Sequence, residues 1–138
     1  MKMSGSGNDF IVVDDRVGNF SGLDKSAMAR YFCRRRISVG ADGMIFIENP
    51  TVDDADVRMN YFNADGSPAA MCGNGARCTA FVVSSSDGGD EMTIETGAGN
   101  IDAVISGDVV KVQMPAGRIV ERNVEIVIDG LPMLFDHI

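Results

Sequence analysis

Two periodicities alternate along the chain. Compact apolar runs at Phe10 to Val13, Met44 to Glu48, Val57 to Phe62, Met92 to Thr96, Ile101 to Ser106 and Val109 to Met114 read as strands. Leu23, Ala27, Met28, Tyr31 and Phe32 instead recur at helical spacing, which predicts a helix up to about Arg36. Ser21 is the expected cap of that helix, with Asp24 three residues on as its capping-box partner. A second helix is predicted from about Gly73 to Ser84, followed by a loop over Ser84 to Gly89. Gly107-Asp108 predicts a tight hairpin, because glycine accepts the positive φ such turns demand. Ile119-Val120 and Val124 to Ile128 add further strand, and Asp129-Gly130 another turn. The pattern is α+β, rich in strands, with two helices.

One segment breaks this regularity. "NADGSPAAMCGNGARC", residues 63 to 78, presents a thiol at a turn just ahead of the second helix. The first turn of a helix carries N–H groups without partners and a partial positive charge. A thiolate at such a position is favoured, and the same N–H groups can hold a carboxylate. Gly73 and Gly75 have no side chains to obstruct that approach. Cys72 is therefore either a reactive thiol or a partly buried cysteine that happens to open a helix. Cys78 lies about 240° round the helix from Cys72 and should be a core thiol, as should Cys33.

Composition narrows the classes. The 138 residues suit one domain, with 45% hydrophobic and 23% charged positions. A net charge of −8 argues against a nucleic-acid partner, and no apolar run approaches the ~18 residues of a membrane span. The odd cysteine count and the absence of a signal-peptide pattern lead us to expect a reducing, cytoplasmic setting. A metal site is not expected: the single histidine, His137, stands alone, and no Cys-x-x-Cys pair occurs. Arg34-Arg35-Arg36 falls where the first helix should end, so its charge is read as complementing the helix dipole. "GSGNDF" at 5 to 10 is no dinucleotide fingerprint, since its third glycine is missing and a strand follows it. Gly5 and Gly7 could instead let the backbone approach a ligand that Asn8 then binds.

"SGSGNDF", "VGADG", "NADGSPAAMCGNGARC" and "TGAGN" together resemble, in the same order, the N-terminal half of diaminopimelate epimerase. The resemblance implies an isomerase that interconverts LL- and meso-diaminopimelate, in lysine and peptidoglycan biosynthesis, without a cofactor. It implies a diaminopimelate epimerase-like α+β domain whose strands wrap a central helix starting after Cys72. Residue by residue, Cys72 matches the first of two catalytic cysteines. Gly73 and Asn74 match the backbone cradle for substrate, and Asn8 and Asn63 match side-chain contacts to it. The sequence departs from the family at Ser4 and Ser6, which replace a histidine and an apolar residue. It departs again at Gly43, where some members carry a polar side chain. The family's second half bears the other cysteine ahead of Gly-Thr, and this chain reaches Asp136-His137-Ile138 without such a segment.

The expectation is thus an N-terminal catalytic half-domain over residues 1–138. Its partners would be diaminopimelate and a missing C-terminal half-domain, and an apolar docking face would allow homo-oligomers. Two alternatives stay open: a cofactor-independent racemase or isomerase of another amino acid, and a non-catalytic binding half-domain.

Overall fold

The computed structural model describes residues 1–114 and 120–137. Lys2–Gly5 (β1) and Asn8–Asp14 (β2) form a hairpin, and Lys25–Phe32 (α1) crosses to Gly43–Glu48 (β3). Val57–Asn63 (β4) turns back against β3, with the short Pro68–Ala69 (β5) paired on β4. Gly73–Asp87 (α2) then leads to Glu91–Thr96 (β6), Gly99–Ser106 (β7) and Val109–Val112 (β8). The strands lie in the order β1-β2-β3-β4-β6-β7-β8. β2 is parallel to β3 and β4 to β6, and the other pairs are antiparallel. Two β-α-β crossovers are therefore joined back to back through the β3–β4 pair.

The helices cover opposite faces of this sheet, and side-chain alternation sorts the core between them. Phe10, Val12, Ile45, Ile47, Val57, Met59 and Tyr61 point to the α2 side, where they meet Ala76, Ala80 and Val83. Ile11, Met44 and Phe46 point the other way, against Ala29 and Cys33 of the α1 side. β3 is consequently buried on both faces, which explains why its sequence reads as a continuous apolar run and not as an alternation. Full burial of each of Phe10, Ile45, Phe46 and Ile47 contributes about 1.5–3 kcal/mol. β1, β2, β3, β4, β6, β7 and β8 all contact α2, so the strands wrap that helix as the resemblance implies.

Several expectations are corrected. Asp24, not Ser21, caps α1: its carboxylate accepts from the Ala27 N–H at 2.9 Å. α1 ends at Phe32, and the arginine run lies beyond it. Leu23 and Tyr31 are exposed, so the buried stripe of α1 is Met28, Ala29, Phe32 and Cys33. α2 continues through the anticipated loop to Asp87, with Gly88 as its cap. β1 takes in Ser4 and Gly5 of the glycine- and serine-rich start, and only Ser6 and Gly7 form the turn, with φ of 50° and 94°. Positive φ at both central positions is the condition of a type I′ hairpin.

Glu121–Ile128 (β9) and Leu131–His137 (β10) make a separate two-stranded sheet across the Asp129-Gly130 turn. β10 carried no sequence expectation, and Ile119, expected as strand, lies outside the described residues. Val127, Leu131 and Leu134 of this hairpin are more than 60% exposed.

Candidate active site

The start of α2 meets the β1–β2 turn and the adjacent ends of β3 and β4. Cys72 is the N-cap of α2, with extended φ and ψ of −145° and 110°. Its Sγ accepts the Gly75 N–H at 3.4 Å, and its carbonyl accepts the Ala76 N–H at 2.8 Å. Among the described residues, no acceptor meets the N–H groups of Gly73 and Asn74. Gly75 allows the close packing, since a Cβ there would lie 3.1 Å from Ile45 Cδ1 and 3.4 Å from Cys72 Cβ. Cys72 is half-buried, whereas Cys33 and Cys78 are buried. Burial pushes both of those thiols above the usual range, with nearby carboxylates adding to the effect at Cys33 and Cys72 adding to it at Cys78.

Asn8 and Asn74 are brought into direct contact, with Asn74 Nδ2 donating to Asn8 Oδ1 at 2.7 Å. A β1 glycine makes this approach possible. A Cβ on Gly5 would fall 2.9 Å from the Asn74 carbonyl oxygen. Gly5 thus admits α2, and a Cβ on Gly7 would meet only open space.

Asn63 closes β4 and pairs with Gly43 in register. Its Oδ1 accepts from the Tyr61 hydroxyl and its Nδ2 donates to Ser67 Oγ, both at 3.0 Å. Asn63 bonds to neither Asn8 nor Asn74 directly. The link runs through Asp42, whose N–H donates to the Asp9 carbonyl and whose carbonyl accepts from Ala64. A side chain at Gly43 would collide with Tyr61, because its Cβ would lie 2.4 Å from Cε2. Burial, reinforced by Cys72, pushes the Tyr61 phenol up to about 12.

Sequence reading missed four members of this neighbourhood: Asp42, Tyr61, Arg35 and Arg77. Asp42 and Arg77 stood within the motifs that carried the resemblance, but one sequence gives no sign of whom they touch. Arg35 does not serve the α1 dipole as expected. It bridges Asp9 and Asp42 at 2.5 and 2.7 Å, and with Lys2 it holds Asp9 far below the usual carboxylate range. No group of three or more metal-ligating side chains occurs among the described residues. Likewise, none of their helices is long and apolar enough to cross a membrane. A cleft of about 620 Å³ is lined by β1 residues, Arg77, Phe81 and the start of β8, and Cys72 is not part of it.

A sheet wrapped around a central helix is an α+β fold found also in solved structures of a racemase and an epimerase. A probable proline racemase from Agrobacterium radiobacter K84 superposes with a TM-score of 0.71 over 99% of this chain and 47% of that one, at 17% identity. A hydroxyproline epimerase from Agrobacterium vitis gives 0.68 over the same shares, at 16% identity. At those identities the likeness concerns the fold. Residues 1–120 match the diaminopimelate epimerase family, and the chain belongs to it. The diaminopimelate epimerase of Halothermothrix orenii is 45% identical over 85% of this chain and 42% of its own length. That of Methanocaldococcus jannaschii is 40% identical over 94% and 46%. The chain thus spans less than half the length of these curated relatives.

Proposed function

We propose that this chain is the first half of a cofactor-independent diaminopimelate epimerase, with Cys72 as the base on one face of the substrate. The observation that carries this reading is the position of Cys72 as the half-exposed N-cap of α2, beside the N–H groups of Gly73 and Asn74, which meet no acceptor among the described residues. Epimerisation breaks the bond between the α-carbon and its hydrogen on one face and makes a new one on the other. In the forward direction the Cys72 thiolate takes the α-proton and becomes a thiol. The electron pair left on carbon delocalises into the adjacent carboxylate. The N–H groups of Gly73 and Asn74, together with the amides of Asn8 and Asn63, bind that carboxylate as its charge grows. A thiol on the opposite face, supplied by a second half-domain, then protonates the carbon and becomes a thiolate. The same half-domain would cover the exposed apolar hairpin β9–β10.

The test is isotope exchange in heavy water. The 138-residue chain alone should not interconvert LL- and meso-diaminopimelate, because one thiol serves one face. Joined to a second half, it should exchange the α-proton and invert, and Cys72→Ser should abolish the inversion. Inversion by the pure chain alone would overturn the two-base reading. Activity on a different amino acid in a substrate panel would transfer the mechanism to that substrate.

A further inference from the structure

Four side chains from three separate segments form one unbroken line of hydrogen bonds. Arg77 Nη1 donates to Asn74 Oδ1 at 2.7 Å, and Asn74 Nδ2 donates to Asn8 Oδ1 at 2.7 Å. Asn8 Nδ2 then donates to Asp42 Oδ2 at 3.3 Å. The ends of this line have opposite, fixed chemistry. A guanidinium can only donate, and a carboxylate can only accept. An asparagine amide, by contrast, can exchange its oxygen and nitrogen by a half-turn about χ2.

Read from Arg77, the Asn74 oxygen must face the guanidinium, which leaves its Nδ2 for Asn8. Read from Asp42, the Asn8 Nδ2 must face the carboxylate, which leaves its oxygen for Asn74. The two demands agree at the central bond. Flipping Asn8 alone would set its oxygen against the Asp42 carboxylate and its Nδ2 against that of Asn74. Two attractive contacts would become two repulsive ones. Asp42 is itself held: its Oδ1 takes Arg35, and its Oδ2 also accepts the Asp9 N–H at 3.0 Å.

We propose that Asp42 and Arg77 are positioning residues that lock the amides of Asn8 and Asn74 into a single orientation. Each amide then keeps one Nδ2 hydrogen unspent. These two donors join the N–H groups of Gly73 and Asn74, which have no acceptor among the described residues, a set suited to a carboxylate ligand. The ligand assignment rests on the reading of Asn8 and Asn74 as substrate contacts, whereas the lock itself does not.

The experiment follows the side-chain amide resonances of Asn8 and Asn74 by NMR in the ¹⁵N-labelled chain. Arg77→Met removes the donor end, and the expected result is a resolved shift of the Asn8 amide, two hydrogen bonds away, as well as of Asn74. Asp42→Asn removes the acceptor-only end and should likewise move Asn74. Arg77→Lys keeps a donor and should leave Asn8 at its wild-type position. Backbone resonances of Ile45 and Ile94, both in the core, confirm that each variant is folded. If Arg77→Met does not fold, Asp42→Asn read at Asn74 decides the matter in the same way. Shifts confined to the amide next to each substitution would overturn the proposal. Because no turnover is measured, failure here is distinct from failure of the epimerase reading.

Discussion

The Tyr61 hydroxyl donates a 3.0 Å hydrogen bond to Asn63 Oδ1, two residues further along the same strand. The ring that carries this hydroxyl fills the space where a side chain at Gly43 would stand. Tyr61 thus supplies, from β4, a polar group beside the site that position 43 itself lacks.

Tyr61→Phe should keep the ring and the fold while releasing Asn63. One neutral hydrogen bond is worth about 0.5–1.5 kcal/mol, so kcat/KM in an assembled enzyme should fall roughly twofold to tenfold. The pH dependence carries a sign. An unfolded tyrosine titrates near 10, and the folded one is pushed up to about 12 by burial. Between those values the folded chain keeps a proton that the unfolded chain has released. Stability should therefore be fully present below about pH 10 and fall as pH rises through that window. Denaturant midpoints measured from pH 9 to 12 should lose part of this slope in Tyr61→Phe. An identical slope in both proteins would remove Tyr61 as its source.

Cys72 should be the first thiol to react. Cys33 and Cys78 are 3% exposed, and burial holds both protonated at neutral pH. Limited alkylation followed by peptide mass spectrometry should label Cys72 well before the other two. Faster labelling of Cys33 or Cys78 in the folded chain would make Cys72 a packing residue.

Asn63→Asp separates turn chemistry from binding. The carboxylate can still accept from Tyr61, but it loses the donation to Ser67 Oγ, whose own hydrogen is held by Asp65, so folding should lose only this one local turn contact. A negative charge would then face the substrate carboxylate, and kcat/KM should drop by a hundredfold or more, about 2.7 kcal/mol. Unchanged kinetics would return Asn63 to a role in the turn alone.

Lys25 is predicted to matter for stability and not for chemistry. Its ammonium bridges Asp15 and Glu48 at 2.9 and 2.5 Å and sits 4.8 Å from the Phe46 ring centroid. Asp15 is only 4% exposed; burial works to raise it, but Lys25 and the Phe20 N–H hold it below the usual range. Lys25→Met should cost about 3–5 kcal/mol at neutral pH by leaving a buried carboxylate unpaired. The native Asp15 contributes stability above its unfolded value near 3.9, and that contribution is lost as pH falls through the lower folded value. The gap between native and variant should accordingly narrow toward pH 3. Equal stabilities at neutral pH would show that Lys25 is dispensable.

Strand positions were legible because β2, β3, β4, β6 and β7 each bury apolar residues in runs or alternations that periodicity detects. β1 was not, because its four residues are half-exposed and contain two glycine or serine positions that mimic a turn. β10 was missed because its residues carry no inward face against the main sheet: all are exposed. Cys72 at the mouth of α2 could be read from the glycines that follow it. The partners of Asn8 could not. Asp42 lies 34 residues away, and only the parallel pairing of β2 with β3 brings the two together. Arg35 was misjudged for the same reason, since local helix logic says nothing about a carboxylate contributed by β2.

β3 is hydrogen-bonded along both edges and covered by a helix on each face. Its amides can exchange with solvent only when the whole sheet opens, so they should be the slowest in the chain. Asp42 immediately precedes that strand and Gly43 opens it, which ties the proposed contacts Asn8 and Asn63 to the least fluctuating part of the molecule. Ligand recognition at these residues would then proceed with little local unfolding and little ordering entropy left to lose.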